Sequence, residues 1–116
     1  MRAHFENEAK FSIMNLTAEQ KKFYRGISHH LNPVVTVAGN GLTDTVLAEI
    51  DRALEDHELI KVKVSVGDRD LRAEVIKQIC TATRATLVFT IGNVALLLRK
   101  ARKPNAKLSN LVRFKN

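Results

Sequence analysis

Apolar residues along the chain recur first four apart, then in short runs, then alternately, and each change of period marks a change of element. Phe23, Ile27 and Leu31 lie four apart, which predicts a helix with those three on its buried face. Thr17-Ala18-Glu19-Gln20 reads as the capping box that opens it. Pro33 ends it by Asn32, since the ring disfavours helical geometry in the preceding residue. Residues 34–37 then form a short apolar strand. Residues 42 to about 57 follow as a second helix, with Thr43 as N-cap and Val46, Ile50 and Leu54 inward. Residues 59–66 alternate, with Ile60, Val62, Val64 and Val66 to one side and Lys61, Lys63 and Ser65 to the other. This is the pattern of a half-buried strand with one polar face. Residues 67–70 make a turn with two candidate caps, Asp68 and Asp70, and Leu71, Val75 and Ile79 mark a third helix. Thr86–Ile91 and Val94–Leu98 are two strands around Gly92-Asn93, a two-residue hairpin signal.

The order α-β-α-β-α-β-β predicts an α/β fold, a compact sandwich with a mixed four-stranded sheet: parallel where a helix crosses over, antiparallel in the final hairpin. At 116 residues the chain suits one domain. Residues 1–15 read as a weakly ordered N-terminal extension, 16–99 as the folded domain and 100–116 as a basic C-terminal tail. The single cysteine, Cys80, excludes an internal disulfide and suits a reducing compartment. No signal-peptide core or membrane-length apolar run is present, so a cytoplasmic location is expected.

Charge changes the picture more than composition does. Between residues 99 and 116 there are seven Lys and Arg and no Asp or Glu, so the whole net charge of +7 sits at this end. A block of one sign repels itself, resists packing and commonly serves as an arm for polyanions. Lys22, Arg25 and His29 add a cationic stripe to the first helix, flanked by Lys21. The second helix is the reverse, with Asp44, Glu49, Asp51, Glu55, Asp56 and Glu58 facing only Arg52. Its exposed face should repel nucleic acid.

Between the first strand and the second helix lies Ala38-Gly39-Asn40-Gly41. A strand that turns on glycines into a helix lets a phosphate approach the backbone and meet the free N–H groups of the first helical turn. The amides of residues 42–45 would be the donors. The spacing is too short for a Walker loop, and no Lys-Ser or Lys-Thr follows. Asp44 would repel an anion placed beside it, which directs contacts to Gly39, Asn40 and Gly41.

Arg25-Gly26-Ile27-Ser28-His29-His30-Leu31-Asn32-Pro33-Val34-Val35, the glycine loop, Leu42-Thr43, Leu47-Ala48-Glu49-Ile50 and His57-Glu58-Leu59-Ile60-Lys61-Val62-Lys63-Val64 together resemble the CRM domain family (chloroplast RNA splicing and ribosome maturation), in its stand-alone bacterial, YhbY-like form. The resemblance runs from about Leu16 to Arg99. It implies an RNA-binding fold similar to the C-terminal domain of translation initiation factor three, and a monomer that associates with precursors of the large ribosomal subunit. Two motifs depart from the family pattern. Its usual Gly-x-x-Gly loop has Ala38 first, and its Ile-Gly-Lys and Tyr-Arg hairpin motifs are here Ile91-Gly92-Asn93 and Leu98-Arg99.

The expected function is RNA binding, with ribosomal RNA in pre-ribosomal particles as partner and an assembly role. The candidate contacts are Lys21, Lys22, Arg25, His29, Gly39, Asn40, Gly41, Lys61, Lys63 and Arg99. The alternative is a protein-interaction adaptor whose acidic second helix docks a basic ribosomal protein. No catalytic set, cofactor site or metal site is expected. Adjacent His29 and His30 point about 100° apart on a helix and cannot share a metal, and Cys80 reads as packing. With one Tyr, five Phe and no Trp, recognition should rest on phosphates, 2′-hydroxyls and RNA shape rather than repeated base stacking.

Overall fold

The computed structural model describes residues 15–39 and 41–114. The expectations for the first residues of the chain and for Asn40 therefore lie outside the described residues. Helix α1, Ala18–Ser28, starts at the capping box: the Gln20 amide donates to Thr17 Oγ1 at 3.0 Å, and the Thr17 amide donates to Gln20 Oε1 at 2.9 Å. Its buried face is Tyr24, Ile27 and Ser28, which corrects the face read from the four-residue spacing. Phe23 is 41% exposed. Tyr24 and Phe23 flank Ile27 on opposite sides, and a period alone cannot choose between them. The helix rolls toward Tyr24 because that side lies over the apolar surface of Val88, Leu96 and Leu98. Phe23 instead meets the Tyr24 ring edge-on at 5.5 Å between centroids.

Strand β1 is Pro33–Val37, helix α2 Asp44–His57, strand β2 Leu59–Val64 and helix α3 Arg69–Thr83. Strands β3, Thr86–Ile91, and β4, Val94–Leu98, form the hairpin, and a short helix α4, Asn110–Arg113, closes the described chain. The sheet order is β1-β2-β4-β3, with β1 and β2 parallel and the other pairs antiparallel. Thr43 and Asp68 cap α2 and α3, accepting from the amides of Val46 and Leu71. Leu71, expected inward, is 48% exposed. It sits in the first turn of α3, where its side chain covers Gly67 rather than reaching the sheet.

Each face of the sheet carries its own apolar layer. Val35, Val37, Ile60, Val62, Val64, Ala95 and Leu97 meet Ile50 and Leu54 of α2 and Val75, Ile76 and Ile79 of α3. Burying a side chain of this size contributes about 1.5–3 kcal/mol, and the alternation of β2 delivers three of them to one face. On the other face Leu59, Val88, Leu96 and Leu98 lie beneath Tyr24 and Ile27 of α1. A second helix layer therefore covers the side of β2 that its lysines occupy.

The C-terminal segment is packed through Phe114, a correction to the reading of residues 100–116 as an arm that resists packing. Glu58, 3% exposed, accepts hydrogen bonds from Ser109 Oγ at 2.7 Å and from the Ala101 amide at 2.6 Å. Asn110 Nδ2 donates to the Leu59 carbonyl at 2.7 Å. Leu111 and Phe114 join the apolar layer under α1, and the Phe114 ring stacks on His30 at 5.2 Å. A few polar anchors and two apolar residues hold the segment, while Lys100, Arg102, Lys103 and Lys107 stay exposed.

Candidate nucleic-acid interface

Helix α1 crosses only part of its sheet face and leaves the remainder open. Cross-strand neighbours share a face of a sheet. Thr36 pairs with Lys63, Lys63 with Val94, and Val94 with Ile91, so these four residues form one row across all four strands. They lie on the face opposite the α2–α3 core. Thr36 and Lys63 are exposed, Val94 is half-buried, and Ile91 is 66% exposed. The next row inward holds Lys61, Leu96 and Phe89. Lys61 Nζ donates to the Leu31 carbonyl at 3.0 Å, so this lysine braces the end of α1 while Lys63 projects freely.

Along one margin of the open row runs the cationic side of α1. The Arg25 guanidinium sits over the Phe89 ring, 4.7 Å from its centroid, an arrangement that orders a long side chain at the helix–sheet boundary. Lys21 and Lys22 on the same helix, and His29 at its C-cap, are exposed. A spacing of three and four keeps Lys22, Arg25 and His29 on the exposed side of α1, and Lys22 also borders a groove it shares with Ile27 and Phe114. All four cations read from the sequence are thus exposed.

The glycine loop lies at the end of the sheet toward which β1 and β2 run. The Ser65 amide donates to the Val37 carbonyl, the Val64 amide to the Asn93 carbonyl, and Asn93 Nδ2 to Ser65 Oγ at 3.3 Å. These bonds bring the loop, the residues after β2 and the Gly92–Asn93 turn together. Asn93, which stands where the family pattern has lysine, thus ties the hairpin to β2. The Gly41 amide donates to the Ala38 carbonyl at 2.7 Å, which closes the turn and removes that amide from the donors a phosphate meets. Gly41 has φ of +75°, whereas neither Ala38 nor Gly39 has positive φ. Alanine at the first loop position therefore fits without strain. A Cβ added at Gly39 would meet nothing within 4 Å, so neither backbone conformation nor packing demands glycine there. With Thr43 Oγ1 occupied by the Val46 amide, the amides of Asp44 and Thr45 are the first-turn donors left without intrahelical partners.

Arg99 stands apart from the other sequence-predicted contacts. Its guanidinium donates to Asp51 Oδ1 at 2.7 Å, Glu55 Oε1 at 3.3 Å and the Thr83 carbonyl at 2.9 Å. It is held between α2 and α3, in the layer on the far side of the sheet from α1. The same contacts change the acidic helix. Asp51 and Glu55 face Arg99, Asp56 pairs with Arg52 at 3.0 Å, and Glu58 is buried. Much of the helix's negative charge is therefore already partnered, which weakens the adaptor reading. Sequence reasoning missed Thr36, Phe89 and Ile91 as surface around the site. The signal for Thr36 and Ile91 is their register with Lys63 and Val94, which single-strand patterns do not carry.

Among the described residues, no group of three or more His, Cys, Asp and Glu is arranged to hold a metal ion. No described helix is long and apolar enough to cross a membrane. Burial pushes the Cys80 thiol up to about 11, the opposite of what an activated nucleophile needs.

The CRS1 / YhbY (CRM) domain model matches residues 16–99. A Pseudomonas aeruginosa protein named a probable RNA-binding protein is 54% identical over 101 residues, covering 87% of this chain and 97% of the relative. An RNA-binding protein of Haemophilus influenzae is 48% identical over 96 residues, covering 83% and 97%. The solution structure of a Staphylococcus aureus RNA-binding candidate superposes with a TM-score of 0.67 at 31% identity, covering 77% of this chain and 93% of that one.

Proposed function

The chain belongs to the CRS1/YhbY (CRM) domain family, and from that premise we propose that it binds folded RNA across the open half of its sheet. Ribosomal RNA within precursors of the large subunit is the proposed partner, and ribosome assembly the proposed role, carried out by a cytoplasmic monomer. The observation that carries this reading is the convergence of three features on one surface. Thr36, Lys63, Val94 and Ile91 make the floor, Lys21, Lys22, Arg25 and His29 make one margin, and the loop at Gly39 and Gly41 closes one end.

The chemistry suits a phosphate backbone. Lysine and arginine displace condensed counterions from it, and the absence of side chains at 39 and 41 lets it approach the loop closely. Lys61 contributes by fixing α1, and Asn40 is proposed to face the RNA with its glycine neighbours. Arg99 has no part in this surface. No bound cofactor or bond-making step is needed. Sedimentation of a cell lysate on a gradient, with and without ribonuclease, tests the reading. Comigration with large-subunit precursors that ribonuclease abolishes is the expected result; comigration with a single protein that survives ribonuclease would overturn it.

A further inference from the structure

A second basic surface lies around the corner of the sheet from the open row. Strand β3 is an edge strand, and between it and α3 runs a groove of about 1070 Å³. Four cations line it, Lys21 from α1 and Arg69, Arg72 and Lys77 from α3, and none of its lining residues is acidic. Arg69, Arg72, Ile76 and Cys80 share one face of α3 because they recur three and four apart. None of the four cations forms an ion pair among the described residues; Arg72 reaches only the Gly67 carbonyl, at 3.5 Å. Such a cluster of like charges repels itself unless an anion sits among them.

The other lining groups narrow the choice of anion. Thr81, Thr90 and Asn93 offer hydroxyl and amide groups, and no aromatic ring enters the groove. Leu16, Ile76 and Leu87 add apolar walls, so it is the four cations with no acid among them, joined by these polar groups, that suit a sugar–phosphate backbone. Thr90 points into the groove while Ile91 belongs to the open row. The two surfaces therefore meet at the Gly92–Asn93 turn, which also lines the groove. Lys21 adjoins both.

We propose that the β3-edge groove is a second RNA-backbone site, so that bound RNA passes over the Gly92–Asn93 turn and is held on both sides of the β3–β4 hairpin. This deepens the RNA-binding reading and rests on it. Site-specific photocrosslinking separates the two. A photoreactive benzoylphenylalanine replaces either Thr81, exposed in the groove, or Thr36, exposed in the open row, and each protein is irradiated with refolded total ribosomal RNA. Crosslinks from both positions are expected. RNA crosslinked from Thr36 alone overturns the groove and leaves the open row standing; from Thr81 alone it upholds the groove and overturns the open row; from neither it overturns both. In cell extract, a Thr81 adduct carrying a protein instead of RNA also overturns the groove.

A charge series supplies an independent reading. Arg69→Gln, Arg72→Gln and Lys77→Gln together should weaken binding to the same RNA about tenfold at low salt and flatten the slope of log affinity against log salt by about 2, one counterion-release increment per lost phosphate contact. An unchanged slope in a variant that melts like the parent overturns the proposal.

Discussion

Gly39 and Gly41 are close neighbours in one loop and answer to different constraints. Gly41 holds φ of +75° and donates its amide to Ala38 across the turn. Gly41→Ala should therefore cost about 1–2 kcal/mol, the penalty of placing an L side chain in left-handed backbone. Gly39 is free of both demands, so Gly39→Ala should leave the urea midpoint unchanged and weaken RNA binding, as urea melts beside a titration will show. Loss of stability at 39, or none at 41, contradicts the assignment. Cys80 makes a second residue-scale test. With its thiol pushed up to about 11 by burial, it stays protonated near pH 8 and should react with iodoacetamide far more slowly in the folded protein than in urea. Equal rates would contradict that burial. At this scale the sequence was legible wherever a residue acts through its neighbours in the chain, as the Thr17–Gln20 box and the Thr43 and Asp68 caps do. It was illegible for Arg99, whose partners Asp51 and Glu55 lie more than forty positions away.

Among the elements, the C-terminal segment departs furthest from the sequence reading. Its charges promised an unattached arm, yet Glu58 accepts from Ser109 and the Ala101 amide inside the protein. Glu58→Ala leaves the buried Ser109 hydroxyl and the half-buried Ala101 amide without that acceptor, which should cost about 1–3 kcal/mol and release the segment. Urea unfolding and proteolysis of the region after residue 100 together check this; unchanged stability and protection would show that the anchor is unimportant. Helix α1 carries the complementary lesson. Its existence and cap were readable, but its roll toward Tyr24 depends on Val88, Leu96 and Leu98, which its own periodicity does not contain. The same holds for β2. Alternation correctly separated lysines from valines, while only the path of α1 distinguishes Lys61, which bonds Leu31, from Lys63, which is exposed.

For the molecule as a whole, charge is sorted by helix: α2 is acidic, while α1 and the groove face of α3 are basic. The acids of α2 lie on one side of the sheet, several already partnered by Arg52 and Arg99, and the cations of α1 lie on the other. Lys22→Glu with Arg25→Glu should therefore weaken RNA binding at least about tenfold at low salt, through lost and reversed phosphate contacts, with the thermal midpoint little changed. Affinity equal to the parent's would remove the stripe from the interface. The α/β order, the hairpin and the basic character were open to sequence reasoning because period and composition carry them. The open row was hidden, since it is assembled from one residue on each of four strands. Chemical-shift mapping of the isotope-labelled protein titrated with a folded ribosomal RNA hairpin tests the central claim most directly. The account predicts that the amides of Thr36, Lys63, Ile91, Arg25 and Gly39 move together while those of Glu49 and Asp56 on α2 stay still; shifts concentrated on α2 with the open row unmoved would contradict it.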